Sequence, residues 1–487
     1  MVIINHMNKH PRLIIAALKG GSGKTILSIG IARLWKKQGL KVTAFKKGPD
    51  YIDAGWLACA SGNPCYNLDP FLIGKEHLLS SFIGHSAGSD ISVIEGNRGI
   101  FDGMDEEGTY STAELSKFLK APAILIIDCN KATRTIAALV NGVKDFDRDL
   151  ELKGVILNQI AGNRHESVIR RSIEKYSDIP VLGAIPRLDK EIFPERHMGL
   201  TPFHEHPEVE SAIEGASGIV SKYVDSGMLL VIAREAGDLE NVQGSGFRVQ
   251  DSGRVTDITS SFTPRLSPLR IGVIRDSAFQ FYYEENLEEL KRHSADIIEI
   301  SALNEKELPD LDALYIGGGF PETHAIALAG NTGFKNSLKA AIEKSLPVYA
   351  ECGGLMYLGE ALLLEGRTYP MAGIFPLTFS LEKRPQAHGY SVVEVIGGNP
   401  YFRNGTLLRG HEFHYSRALD FAGDKEGFSY AFRIKRGRGL HNGMDGICYK
   451  NVLATYTHLH ALGAREWVEG MLKCASEYKK CRMNNEQ

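Results

Sequence analysis

The chain has 487 residues, of which 43% are hydrophobic, 24% charged and 9% aromatic. At about 100–200 residues per domain that length suits several domains with their own cores, and the composition excludes a disordered or fibrous protein. The 56 basic and 59 acidic residues leave a net charge of −3, so there is no bulk electrostatic case for binding nucleic acid, and any phosphate chemistry must be local.

The first residues lack the long apolar stretch and small-residue cleavage site of a secretory signal. The first strand-like run, residues 13–18, is continuously apolar and ends in glycines. Further apolar runs follow at 91–95, 123–128, 154–158 and 181–186, with helical patterns between them, such as 112–119. Buried parallel strands read as continuous apolar runs, and strands alternating with helices predict a doubly wound α/β layer. Residues 243–268 are rich in Ser, Gly, Thr and Pro and carry little periodicity, which predicts a linker. A fresh βαβ pattern starts directly after it at 269–274 and continues at 313–317 and 347–351. The expected fold is therefore α/β with two doubly wound domains, at 11–242 and 269–487. No apolar run approaches the ~20 residues of a membrane span, so no membrane association is expected. The seven cysteines are scattered and form no Cys-x-x-Cys pair, which fits a reducing, cytoplasmic compartment.

Directly after the first run comes Lys19-Gly20-Gly21-Ser22-Gly23-Lys24-Thr25, leading into an apolar-periodic helix. Glycines there let backbone N–H groups close around phosphate oxygens, and the helix start adds a favourable dipole. Lys24 is placed to reach the β- and γ-phosphates, and the Thr25 hydroxyl suits Mg²⁺. The strict pattern asks for glycine where Leu18 stands, and the added Lys19 is similar to the signature lysine of the deviant P-loop class. ATP with Mg²⁺ is the expected cofactor pair. Phosphoryl transfer needs charge neutralised by a metal on carboxylates. Candidate carboxylates at strand ends are Asp50, Asp53, Glu95 and Asp102, of which Glu95, followed by glycine, is favoured. Asp53 and Asp102 read equally well as turn or cap residues.

In the second half, Glu351-Cys352-Gly353-Gly354 lies between an apolar strand and a helical pattern. That is the layout of a nucleophile elbow, in which a tight turn presents the thiol and the helix start is expected to lower its pKa. Such a thiolate can attack the amide of glutamine. Backbone N–H groups at Gly353 and at the second glycine patch, Gly318 and Gly319, are candidate oxyanion donors. The thiol needs a base, and the late segment Thr457-His458-Leu459-His460 offers two histidines between which the residues alone do not choose.

With these motifs in place the chain resembles the cobyrinate a,c-diamide synthase family. The resemblance runs over most of the chain. It rests on the segments 47–53 (KGPDYID), 101–103 (FDG), 194–200 (PERHMGL), 350–354 (AECGG), 410–416 (GHEFHYS) and 457–460 (THLH). It implies a dethiobiotin-synthetase-like ATPase fused to a class I glutamine amidotransferase. Glutamine then supplies ammonia at the cysteine, and ATP activates acetate side chains of a tetrapyrrole as acyl phosphates. Carried over by motif, Cys352 is the nucleophile and His458 its base. Lys24 and Thr25 serve phosphate and metal, Asp50 and Glu95 resemble the metal carboxylates, and Asn158 matches an adenine-contacting position. Tyr51, Asp53, Asp102, Glu195, Arg196 and His197 are candidates for the tetrapyrrole side, and a homodimer is an expectation. Many class I amidotransferases place glutamate two residues after the histidine. Here that position is His460, which leaves a Cys–His pair with its third member absent or supplied from elsewhere. The Lys19 loop also resembles partition ATPases and leaves open a subgroup acting on Ni-sirohydrochlorin. The alternatives are a cobyric acid synthase-type amidation and a partition-type regulatory ATPase.

Overall fold

A computed structural model describes residues 10–188, 195–196, 199–200, 203, 206, 208–239, 268–419 and 427–485, with side chains left out at 195–196, 199–200 and 485. The chain divides into two compact units, one drawn from residues up to 70 and 74–251, the other from 71–73 and 252–487. Most of the expected linker, residues 243–267, lies outside the described residues.

The first unit is a parallel sheet. Its strands are β1 (Arg12–Ala17), β2 (Val42–Lys47), β3 (Cys65–Leu68), β4 (Ile91–Glu95), β5 (Ala123–Asp128), β6 (Leu152–Ile160) and β7 (Val181–Pro186). They lie in the order β3-β2-β4-β1-β5-β6-β7, all pairs parallel. Every residue of β1, β2 and β4 is buried, which is why β1 and β4 read as apolar runs, whereas β2 buries Thr43, Lys46 and Lys47 and gave no such run. Helix α1 (Lys24–Lys37) leaves the loop after β1, and α2 (Ile52–Ser61) follows β2. The chain crosses from β4 to β5 on either side of β1. The loops after β1, β2 and β4 therefore gather at the carboxyl edge of the sheet, where open α/β sheets take their ligands. A two-residue antiparallel pair, β8 (Glu195–Arg196) with β9 (Gly199–Leu200), follows β7.

The second unit holds β10 (Leu269–Ile274), β11 (Ala295–Ile300), β12 (Ala313–Ile316) and β13 (Val348–Glu351), which form a parallel set with Val452–Thr455. The same sheet then continues through antiparallel strands to ten in all, ending with Ala387–Val395, Leu407–His414 and His458–Leu459. The antiparallel half and a separate four-stranded sheet are additions to the βαβ pattern read from the sequence. Successive residues of β13 face opposite cores. Val348 and Ala350 pack with Ile274, Ile316 and Leu355, while Tyr349 packs with Tyr315, Leu459 and Trp467.

Candidate active sites

In the first unit the loop 18–23 carries Gly21 and Gly23 at φ 71° and 99°, and Lys24 begins α1. Lys24 Nζ donates to the carbonyl of Lys19 (3.3 Å) and to that of Arg98 (2.9 Å), so its charge is already folded over the loop. Burial, and then the neighbouring Lys46, pull this ammonium below its ordinary pKa. An anionic phosphate there would favour the charged form. Lys19 is well exposed, with Nζ 3.6 Å from Asp128. Asn158 Nδ2 donates to the Ser22 carbonyl at 2.9 Å, which fixes that side chain against the loop.

Beneath the loop three of the candidate carboxylates, Asp50, Asp53 and Glu95, gather around Lys46, which the sequence reading did not single out. Lys46 is essentially buried. Its Nζ lies 2.6 Å from Asp53 Oδ2, 2.8 Å from Glu95 Oε1 and 3.8 Å from Asp50 Oδ2. The parallel register sets Lys46 beside Glu95 directly. Burial would pull the ammonium down, but Asp53, Glu95 and Asp50 outweigh it and hold Lys46 well above the ordinary lysine range. Asp50 is pushed up to about 7, first by burial and then by Asp53. Glu95 is raised by burial against the pull of Lys46. Burial acts to raise Asp53 too, but Lys46 prevails and lowers it. Thr25 Oγ1 donates to Glu95 Oε1 at 2.7 Å, bringing the loop's hydroxyl onto the same carboxylate.

The donor set of Thr25, Asp50, Asp53 and Glu95 is all oxygen. Glu95 Oε2 is buried without a hydrogen-bond partner. That suits a hard cation such as Mg²⁺, which takes one or two carboxylates plus phosphate and water rather than a protein cage. No such cage of three or more His, Cys, Asp or Glu side chains occurs among the described residues. Of the tetrapyrrole candidates, Asp53 sits in this cluster. Tyr51 is the residue before α2, and Asp50 Oδ1 accepts the Asp53 amide in its first turn (2.9 Å). Asp102 accepts the Gly99 amide at 2.8 Å and holds a turn. Glu195 and Arg196 lie on β8 with side chains not described, and His197 lies outside the described residues.

In the second unit Cys352 stands between β13 and the helix Gly353–Leu358 with φ 47° and ψ −98°, a left-handed conformation unusual for a residue with a side chain. Its amide donates to Thr455 O at 2.8 Å, and Gly354 N donates to Gly317 O at 3.1 Å, which ties the elbow to both neighbouring strands. A Cβ added at Gly318 would lie 2.6 Å from His458 Cε1, and one added at Gly353 would lie 2.9 Å from the Gly319 amide nitrogen. Gly318, Gly319, Gly353, Cys352 and His458 therefore converge. His460 does not: its Nε2 lies 3.5 Å from Glu285 Oε2, and its ring lies against Tyr283.

The expectation of a lowered thiol pKa is overturned. Burial, followed by the charge of Glu322, pushes Cys352 up, and the Gly353 amide opposes this only in part. The helix behind it has six residues and too little dipole to offset full burial. The thiol's proton must pass to a base. The segment 410–416 serves as a frame for that base. His411 pairs across the strands with His458 and stacks on its ring at 4.8 Å. Burial, then the neighbouring His458, drive His411 well below the ordinary histidine pKa, so it stacks as a neutral ring. Glu412 accepts the Arg438 and Gly439 amides, and His414 stacks on Tyr456 at 3.6 Å. The sequence reading also missed Glu351, whose Oε2 lies 3.3 Å from His458 Nδ1. Because it precedes Cys352, it read as part of the elbow.

Residues 13–200 match the CobQ/CobB/MinD/ParA nucleotide binding domain, and residues 270–466 match the CobB/CobQ-like glutamine amidotransferase domain. A cobyrinate a,c-diamide synthase of Magnetococcus marinus is 38% identical, covering 94% of this chain and 95% of that one. That of Archaeoglobus fulgidus is 39% identical over 96% of this chain and 98% of its own. That of Methanothermobacter thermautotrophicus is 35% identical over 96% and 100%.

Proposed function

The chain belongs to the cobyrinate a,c-diamide synthase family, and from that membership we propose that it amidates the a and c acetate side chains of cobyrinate, using ATP and glutamine. The observation that carries this reading is the pairing, within one chain, of a phosphate loop over buried carboxylates and a cysteine elbow that converges with His458. The domain limits that go with it are 11–242 for the ATPase, 243–268 for the linker and 269–487 for the amidotransferase.

At the elbow, the Cys352 proton passes to His458 Nε2 as sulfur attacks the carboxamide carbon of glutamine. Amide N–H groups around Gly318, Gly319 and Gly353 face the developing oxyanion. The C–N bond then breaks, nitrogen takes the proton back from His458, and ammonia leaves. Water hydrolyses the thioester to glutamate.

In the first unit, a carboxylate is a poor electrophile until it carries a leaving group. An acetate oxygen attacks the γ-phosphorus of ATP and ADP departs. Ammonia attacks the acyl carbon, and phosphate leaves with the amide formed. Lys24 and the loop amides, with Lys19 at the loop's edge, neutralise the transferring phosphate, and Asn158 borders the base. Mg²⁺, where bound by Thr25, Glu95 and Asp50, would supply charge neutralisation. Tyr51, Asp53, Asp102, Glu195, Arg196 and His197 are proposed for the tetrapyrrole side. Cytoplasmic residence is supported by seven free cysteines, and no helix among the described residues is long and apolar enough to cross a membrane. A homodimer is the proposed assembly, checked by light scattering.

The test is an end-point assay offering cobyrinate, hydrogenobyrinate and Ni-sirohydrochlorin separately with ATP, Mg²⁺ and glutamine, with products read by mass. Diamidation of cobyrinate supports the reading. Diamidation of Ni-sirohydrochlorin alone moves the substrate and keeps the chemistry. ATP hydrolysis without amidation of any of them overturns it.

A further inference from the structure

Two residues after His458, where many class I amidotransferases carry glutamate, this chain has His460, and the fold fills that need from another strand. We infer that Glu351, the residue immediately before the nucleophile, is the positioning carboxylate for His458. This inference rests on the reading of Cys352 and His458 as the glutaminase pair.

Strand alternation separates the two neighbours. Glu351 follows Tyr349 onto the face of Tyr315 and Leu459, whereas Cys352 leaves the strand in a left-handed turn and joins the opposite core with Val348 and Ala350. One strand end thus delivers a nucleophile to one side and a carboxylate to the other. Both Glu351 and His458 are essentially buried.

The imidazole has a defined orientation between them. Its Cε1–Nε2 edge borders Gly318: a Cβ there would lie 2.6 Å from Cε1 and 3.4 Å from Nε2. Its Nδ1 edge faces Glu351 Oε2 at 3.3 Å. With the carboxylate accepting from Nδ1–H, the neutral ring keeps its lone pair on Nε2, the edge turned toward the glycine patch, and an ionised carboxylate stabilises the imidazolium formed when Nε2 takes a proton.

Glu351 is itself immobilised. Its Oε1 accepts the Leu459 amide at 3.0 Å and its Oε2 accepts the Tyr315 hydroxyl at 3.0 Å. Asn286 Nδ2 backs that hydroxyl (3.3 Å) and holds the Leu459 carbonyl (2.9 Å), while its Oδ1 accepts the Ala461 amide (2.7 Å). The same carboxylate therefore grips the ring of His458 and the backbone of the next residue. The histidine two positions on is committed elsewhere, to Glu285 and Tyr283.

The experiment compares wild type, Glu351→Gln, Glu351→Asp and Cys352→Ala as full chains. Glutamine hydrolysis is followed across pH, normalised to ammonia-dependent turnover, with thermal midpoints recorded. Glu351→Gln should lower glutaminase kcat about a hundredfold to ten-thousandfold with little change in KM for glutamine. The acidic limb of its pH profile should move about one unit or more to lower pH, because the imidazolium has lost its counter-charge. Glu351→Asp should recover part of kcat and return the limb toward wild type. A Gln variant with kcat and acidic limb unchanged overturns the inference. So does a loss with an unmoved limb that aspartate does not relieve, since that marks a purely structural residue. Should wild type and Cys352→Ala hydrolyse glutamine equally, the glutaminase reading itself fails.

Discussion

Two strand–turn–helix corners do the chemistry here, and they are built on opposite principles. At the phosphate loop, a Cβ placed on Gly20 or Gly21 would meet nothing within 4 Å, while one on Gly23, at the helix start, would meet Asn158 Nδ2 at 2.7 Å. At the thiol elbow, Gly317, Gly318, Gly319, Gly353 and Gly354 all lie within 3 Å of a neighbour by the same measure. A corner that receives a polyanion must stay open, with room for backbone amides and a lysine to meet the phosphates. A corner that activates a thiol must exclude water and hold donors at fixed distances, so it closes by contact with both backbone and side chains, Tyr282 and His458 among them. Charge follows the same division. The loop overlies a buried lysine among three carboxylates, whereas the elbow raises its thiol by burial and relies on His458 for the proton.

The largest expected effect falls on the closed corner. Cys352→Ala should lower glutamine-dependent amidation by at least about a thousandfold while ammonia still supports turnover. Full glutamine activity in that variant would erase the difference between the corners. Next comes the charge cluster. Lys46→Met leaves three carboxylates without their cation and should cost about 3–5 kcal/mol of stability near neutral pH, read by urea unfolding. The loss should shrink toward pH 5, as the carboxylates protonate.

Glycine replacement sharpens the contrast directly. Alanine at Gly319, where φ is 157° and a Cβ would sit 2.1 Å from the Ala278 carbonyl, should destabilise by about 1–3 kcal/mol. Alanine at Gly20 should stay within about 0.5 kcal/mol of wild type, and equal costs would contradict the account. The smallest effect concerns Asp50. Its folded pKa of about 7 is raised from an ordinary 3.8. The stability it contributes is thus complete below the unfolded value and is lost as pH rises through the folded one. Asp50→Asn should flatten the stability curve between those values, whereas an unchanged slope would place the titration elsewhere.

Both corners were legible in the sequence because each is local: apolar strand, glycines, nucleophile or lysine, helix. The chemistry between strands was not. Lys46 meets Glu95 only through the register of β2 against β4, and 49 residues of sequence separate them. Glu351 reaches His458 across 107 residues, hidden beside a cysteine that drew the attention. The residues alone did not choose between His458 and His460; the family resemblance did, and Gly318 packs against the ring of His458. The antiparallel half of the second sheet escaped because its strands are half-exposed and mix polar with apolar residues, with no βαβ rhythm.

The central claim is that one chain couples glutamine hydrolysis at Cys352 to ATP-driven amidation. It is tested most directly by supplying cobyrinate and ATP with glutamine labelled only at its amide nitrogen, alongside unlabelled ammonium, and weighing the product. The account predicts two labelled nitrogens per macrocycle in wild type and unlabelled diamide from Cys352→Ala. Unlabelled product from wild type, or label incorporated without ATP, would contradict it.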